Sequence, residues 1–174
     1  MDTTFKQILK EYRDRCYINS ILAEASHTYY NTINNIIIFP TILGSSVLTC
    51  LNSSNIESDQ IKYINISING IITIILAITT QYKLYDRINL FKAHQVKFTK
   101  LNHTIEGYIN VDKNISLEDV NILVSKYDVL CEELLFDYPV HIKNKVIRKF
   151  GNTSITLPNS LALIGQLVIT TQSV

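Results

Sequence analysis

The chain has no tryptophan, one methionine, three prolines and five glycines in 174 residues. So little glycine and proline excludes a collagen-like or Gly/Pro-rich low-complexity chain. Cysteine is scarce too. Cys16, Cys50 and Cys131 are odd in number and far apart, which excludes a disulfide scaffold. Charged residues make up 18%, below the ~25% usual in soluble domains. The net charge of +1 gives no global field to attract nucleic acid, so no nucleic-acid partner is expected. What is present is apolar. The hydrophobic fraction of 47% excludes disorder of the whole chain. Isoleucine occurs 28 times, asparagine 16, lysine 12 and tyrosine 10, against four arginines. The favoured residues have AT-rich codons, so single Ile and Asn positions carry nucleotide bias as well as selection. The length suits one domain.

The missing charges are not spread evenly. From Thr28 to Ile56 no residue is charged, and from Tyr63 to Tyr82 none is charged again, with Glu57, Asp59 and Lys62 between the runs. At about 1.5 Å per residue, roughly 20 helical residues cross the ~30 Å hydrocarbon core. Residues 33–51 and 63–82 each have that length. Core helices of soluble proteins more often carry apolar runs of about 10–14 residues. A β-hairpin is the other reading, because Ile64, Ile66 and Ile68 alternate with Asn65, Ser67 and Asn69, but the alternation stops at Gly70. The expectation is therefore an all-α chain. Its centre is a two-transmembrane helical hairpin, and its long cytosolic helices pack as an antiparallel bundle. Four regions follow: an N-terminal amphipathic helix (1–32), the hairpin (33–82), a cytosolic helical region (83–150) and an apolar tail (151–174).

Both spans contain amides and hydroxyls. A buried amide without a partner costs about 1–3 kcal/mol, so these groups should face each other, a second protomer or water. Asn34, Asn35, Gly44, Ser45, Asn65, Asn69 and Gly70 are the candidates for tight hairpin packing or for lining a pore, and Pro40 removes one helix hydrogen bond. Basic residues near a span tend to remain cytosolic. Lys6, Lys10, Arg13 and Arg15 precede the first span, and Lys83, Arg87, Lys92, Lys97 and Lys100 follow the second, while the connecting loop holds only Lys62. Both termini are expected in the cytosol, without a cleavable signal peptide. The sequons at Asn52, Asn65, Asn102, Asn114 and Asn152 read as asparagine-rich background.

Phe5, Ile8, Leu9, Tyr12 and Cys16 give the first helix one apolar face, and that helix is expected to run into the first span. Beyond the second span, Leu84, Ile88, Phe91, Phe98, Leu101, Ile105 and Tyr108 form a coiled-coil-like seam with Gln95 in register, predicting one continuous helix over 63–108. Residues 110–114 read as a loop. Ser116 with Asp119 resembles a capping box opening a helix that carries Val120, Leu123, Val124, Tyr127, Leu130, Leu134 and Leu135 to Pro139, with Cys131 in its core face. A short basic helix follows, whose Lys143, Lys145, Arg148 and Lys149 are candidates for anionic lipid headgroups. The tail is short for a span. It is expected to lie at the interface or to dock on the other helices, with a third crossing left open.

Chemistry is sparse. The four histidines have no ligand spacing to one another or to the cysteines, and phosphate-loop patterns are missing. No catalytic residue, metal site or cofactor is expected, and the chain reads as a non-enzyme.

The stretch from Tyr82 to Leu101, which runs YKLYDRINLFKAHQVKFTKL, resembles the segment after the second span in the SLATT group, the two-transmembrane effector domains associated with SMODS and SLOG proteins. The resemblance covers roughly residues 1–140 and rests mostly on architecture. The ending from Phe136 to Phe150 is similar to versions encoded by large DNA viruses. The resemblance implies an integral membrane effector that forms homo-oligomers and can breach a bilayer, and it brings no catalytic residues. The alternative is a viral structural or scaffold protein of a virion or organelle membrane, gripping a viral or host partner through its cytosolic helices.

Overall fold

The computed structural model describes residues 3–53, 59–110 and 115–161. Of these, 87% are helical and none forms a strand, as the all-α expectation requires. Five helices follow one another: α1 (Thr3–Ser53), α2 (Asp59–Gln81), α3 (Leu84–Asn110), α4 (Leu117–Glu132) and α5 (Val140–Phe150). The chain divides into two compact units, one made of Met1–His27 with Asn89–Val174 and one of Thr28–Ile88. The second unit begins at the residue where charge disappears from the sequence.

The first unit is held by interlocking apolar faces. Leu9 and Cys16 of α1, Phe98, Leu101, Ile105 and Ile109 of α3, and Val120, Leu123 and Tyr127 of α4 form one buried cluster, with Phe5, Ile8 and Tyr12 packed against it. The amphipathic reading of α1 is thus realised. Burying the Tyr127 ring leaves its hydroxyl in need of a partner. Asn19, itself buried, donates its Nδ2 to that oxygen at 3.1 Å, and the Tyr12 ring meets the Tyr127 ring edge-on at 5.2 Å. On α3 the buried positions Phe91, His94, Phe98, Leu101, Ile105 and Ile109 are spaced three and four apart, and Leu84 is buried as well. His94 holds the seam position expected of Gln95, which sits partly exposed.

Two helix ends differ from the sequence reading. The continuous rod over 63–108 is broken between α2 and α3. Lys83 adopts φ 47°, the left-handed region, where an L side chain crowds the following carbonyl at a cost of roughly 1–2 kcal/mol. α4 stops at Glu132 instead of reaching Pro139. The Glu133 N–H still reaches the Val129 carbonyl, but the Leu134 N–H turns back to the Cys131 carbonyl, a tighter i to i+3 turn that closes the helix. Leu135 is consequently 79% exposed, and Cys131 lies on an exposed position, not in the core face.

The start of α4 follows its sequence signature. Ser116 Oγ accepts the Asp119 N–H at 3.1 Å, and the Asp119 carboxylate accepts the Ser116 N–H at 3.1 Å, a reciprocal capping box. The Ser116 hydroxyl, which donates to the Asp119 carboxylate at 2.7 Å, and then the Ser116 N–H hold the Asp119 carboxyl below its ordinary pKa. α5 buries Ile142, Val146, Ile147 and Phe150 on one face, and the Phe150 ring meets Tyr17 edge-on at 6.2 Å. Pro158 and Leu161 of the tail are buried. The expectations for the loop at 111–114 and for the tail beyond 161 lie outside the described residues.

Replacing the cap tests this account of α4. Ser116→Ala should destabilise the first unit by about 1 kcal/mol in denaturant unfolding, with the slope unchanged. Because the Asp119 pKa is lowered in the folded chain, its contribution is present above the ordinary carboxylate value of 3.8 and is lost as pH falls below it. The variant should therefore lose less stability than the parent on acidification through that range.

Candidate functional site

The polar positions that stood out in the sequence belong to the second unit, where α1 and α2 touch in opposite sequence order. Asn65 Nδ2 donates to Asn52 Oδ1 at 2.7 Å. A Cβ placed on Gly44 would stand 3.4 Å from Ile68 Cγ2 and 3.6 Å from Ile72 Cδ1, ordinary contact distances. Less exposed residues recur as Asn34, Ile37, Thr41, Gly44, Leu48 and Leu51 on α1, and as Ile61, Asn65, Ile68, Ile72, Ile75 and Thr79 on α2. Both series step by three and four, the spacing of a helix–helix seam. Of the seven candidates, Asn34, Gly44 and Asn65 are in this seam. Asn35, Ser45, Asn69 and Gly70 are exposed, and a Cβ on Gly70 would meet nothing within 4 Å. Gly70 therefore does not serve close approach between α1 and α2.

Most serine and threonine hydroxyls of this unit are satisfied within their own helices. Thr41, Ser45, Ser46 and Thr49 each donate to the carbonyl four residues back at 2.9 Å, and Thr73 does so to Asn69 at 2.8 Å. Such back-bonding removes most of the cost of placing a hydroxyl on an apolar helix. The amides are less complete. Asn65 Oδ1 is buried without a partner, although Asn65 donates through Nδ2.

The exposed surface of the pair has two unlike flanks. A cavity of about 470 Å³ opens on one of them, near the Lys83 turn, between Ile38 and Ile42 of α1 and Leu76 and Thr80 of α2. Helical spacing carries Asn35, Ser45 and Thr49 along the same side of α1, and Asn69 and Thr73 along the same side of α2. The other flank carries Ile36, Leu43 and Val47 with Ile64, Ile71 and Ile78, all exposed and all apolar. Arg87, just past the turn, donates to the Tyr30 hydroxyl at 3.0 Å and to the Tyr82 carbonyl at 3.1 Å.

The basic helix α5 presents its cations unequally. Lys145, Arg148 and Lys149 are exposed, and the Lys149 ammonium lies 5.1 Å from the Phe150 ring centre. Lys143 is buried and paired with Asp137 at 2.6 Å, which takes it out of the set free to meet a headgroup. Its burial follows from its place in the helix, next to Ile142 and one turn from Val146 and Ile147.

Sequence reasoning missed His94. Its ring is 1% exposed and 6.0 Å from the Phe98 ring, and its Nδ1 has no hydrogen-bond partner. Burial, and then the Lys97 ammonium, lower its pKa below 6.5, against a smaller opposing pull from Glu133 and its backbone. Lys97 itself is ion-paired with Glu133 across the helices. The signal that was available is the phase of Phe98, Leu101 and Ile105, three and then four apart, which carried back to Phe91 selects position 94 and not 95. Among the described residues, no three His, Cys, Asp or Glu side chains stand together as a metal site. Burial pushes the Cys16 thiol up to about 12, which leaves almost no thiolate for chemistry at neutral pH.

Two helices, Thr4–Ser53 and Asp59–Gln81, are long and apolar enough to cross a membrane by length and composition. Compared with protein-family models, with curated proteins and with solved structures, the chain matches none.

Two measurements test this geometry. Gly44→Leu should destabilise the α1–α2 pair by roughly 1–3 kcal/mol through overpacking against Ile68 and Ile72. Gly70→Ala should be neutral or stabilise by up to about 1 kcal/mol. Thermal unfolding of the two variants in the same detergent compares them. For His94 the folded pKa is lowered, so the unfolded chain binds the proton more readily. Stability should be full above the ordinary value of 6.5 and decline as pH falls below it. His94→Leu should flatten that decline, and identical profiles would assign the slope elsewhere.

Proposed function

We propose that the chain is a non-enzymatic, two-pass integral membrane protein of SLATT-like type, with both termini in the cytosol, acting as an oligomeric membrane effector able to form a pore. The observation that carries this reading is the exposure of the apolar helices. In the most apolar window of each candidate span, only 6% and 0% of residues are buried. Core helices of a soluble protein would be largely covered. Fully burying one Ile is worth roughly 1.5–3 kcal/mol. Ile36, Ile42, Ile64, Ile66, Ile71 and Ile74 are all exposed. Exposed by 45–70%, these six side chains together represent about 5–11 kcal/mol, comparable with the whole stability of a typical domain. A bilayer supplies the missing cover.

The unlike flanks support self-association. In lipid, polar side chains turn toward protein or water, and small and hydroxylated residues line helix contacts. The flank with Asn35, Ser45, Thr49, Asn69 and Thr73 suits a second protomer or a water-filled lumen, and the Ile-rich flank suits acyl chains. Sidedness rests on the basic residues outside the spans. Liposome leakage tests the pore. Purified wild type should release an entrapped dye, and Asn35→Leu with Asn69→Leu should suppress release without lowering incorporation. Leakage equal in wild type and double variant contradicts a lumen lined by that flank.

A scaffold role is the second reading, favoured by an apolar groove of about 410 Å³ between α3 and α4. It is lined by Leu101, Val129 and Leu130, with Lys100 and Lys126 at its edge. In a viral setting this groove would hold a viral or host partner on the cytosolic side. Mass spectrometry of purified particles tests the virion version; absence of the chain from them removes it.

A further inference from the structure

The cavity beside the Lys83 turn has features that the membrane-effector reading does not use. Its walls are mostly apolar, from Ile38, Ile42 and Leu76, with Asn34, Thr41, Thr79 and Thr80 between them, and it is also lined by one cation and one anion, Lys83 and Asp86. Among the described residues neither charge takes part in an ion pair, while the neighbouring Arg87 is committed to Tyr30 and Tyr82. The backbone at Lys83 is in the left-handed region, an unfavourable conformation for lysine that recurs at sites where a side chain must be aimed. Tyr82 and Tyr85 are 62% and 68% exposed beside it. Tyrosines flanking the end of an apolar helix mark headgroup depth. The volume of about 470 Å³ falls within the roughly 300–1,000 Å³ of ligand pockets.

We propose that this cavity holds one zwitterionic glycerophospholipid, with its phosphate on Lys83, its ammonium on Asp86 and one acyl chain along Ile38, Ile42 and Leu76. The paired charges select the occupant. A lone lysine would favour an anionic lipid, and the carboxylate three residues on repels a headgroup of net negative charge. The ammonium of phosphatidylethanolamine can donate hydrogen bonds to that carboxylate while its phosphate accepts from the lysine. Ser45, Thr49, Asn69 and Thr73 lie farther from the turn along the helices, so the lipid leaves that part of the polar flank for a second protomer. The inference rests on the membrane reading of the chain.

The test reconstitutes the full chain into vesicles of equal phosphatidylethanolamine and phosphatidylglycerol, then counts the lipids retained by native mass spectrometry. Wild type should retain phosphatidylethanolamine in preference to phosphatidylglycerol. Asp86→Asn should shift that ratio about fivefold toward phosphatidylglycerol, and Lys83→Gln should lower retention of both by a similar factor. Thr80→Trp, at an exposed position lining the cavity, fills it and should retain neither. Equal retention by wild type, Asp86→Asn and Lys83→Gln overturns the proposal. So does a Thr80→Trp variant that keeps its lipid, or one that loses protomer contacts while lipid content stays the same, since a second copy would then occupy the cavity. Flotation separates the two levels. A wild-type chain that fails to float with the vesicles sinks the membrane reading, whereas one that floats without lipid selectivity sinks the site alone.

Discussion

Two long helical surfaces of isoleucine and leucine have no protein over them. Everything else in the second unit answers to that constraint. Water cannot be the long-term neighbour of so much exposed apolar area, because its transfer free energy rivals the stability of a domain. The backbone of both segments is helical, the arrangement in which a chain in lipid satisfies its own N–H and C=O groups. The hydroxyls of Thr41, Ser45, Ser46, Thr49 and Thr73 follow the same rule, donating to carbonyls of their own helices. Only the amides look outward or to each other, and their grouping on one flank gives the pair its two-sided character.

The first unit is built on ordinary soluble physics. Its core is an aromatic and aliphatic cluster spread over three helices, with buried polar groups matched in part. Asn19 and Tyr127 satisfy each other, and Lys143 is neutralised by Asp137. Others are not matched: His94 Nδ1, Ser26 Oγ and the Tyr138 hydroxyl are buried without a partner, and burial followed by Lys97 lowers the His94 pKa. His94 ties the packing of α3 to pH, since a proton on it would place a charge beside the buried Phe98 ring.

Much of this was legible from the sequence. The charge-free runs located the apolar helices, and the Ser116–Asp119 pair located the start of α4, because both signals are local. The apolar face of α1 was legible for the same reason. The breaks were not. Nothing in the composition around Lys83 announces a left-handed residue, since lysine is an ordinary helix former and the three–four pattern of apolar residues continues on both sides. The early end of α4 was hidden because Leu134 and Leu135 keep the apolar rhythm after the helix has stopped. For the candidate site, the residue types were found and their directions were not. Asn34, Asn35, Gly44, Ser45, Asn65, Asn69 and Gly70 read alike in one dimension, and only the facing of α1 and α2 sorts them into seam and surface. The pairing of Lys143 was hidden in the same way, because its partner Asp137 lies outside its helix.

The surrounding medium of the two helices is the central claim, and spin labels read it directly. Single nitroxides at positions 36, 43, 47, 64, 71 and 78, with the chain reconstituted in vesicles, report collision with oxygen, which concentrates in lipid, and with a water-soluble nickel chelate, which does not enter it. The account predicts high oxygen and low nickel accessibility at all six, with nickel accessibility rising toward positions 59 and 85. High nickel accessibility at the central positions 43, 47, 71 and 78 would contradict it.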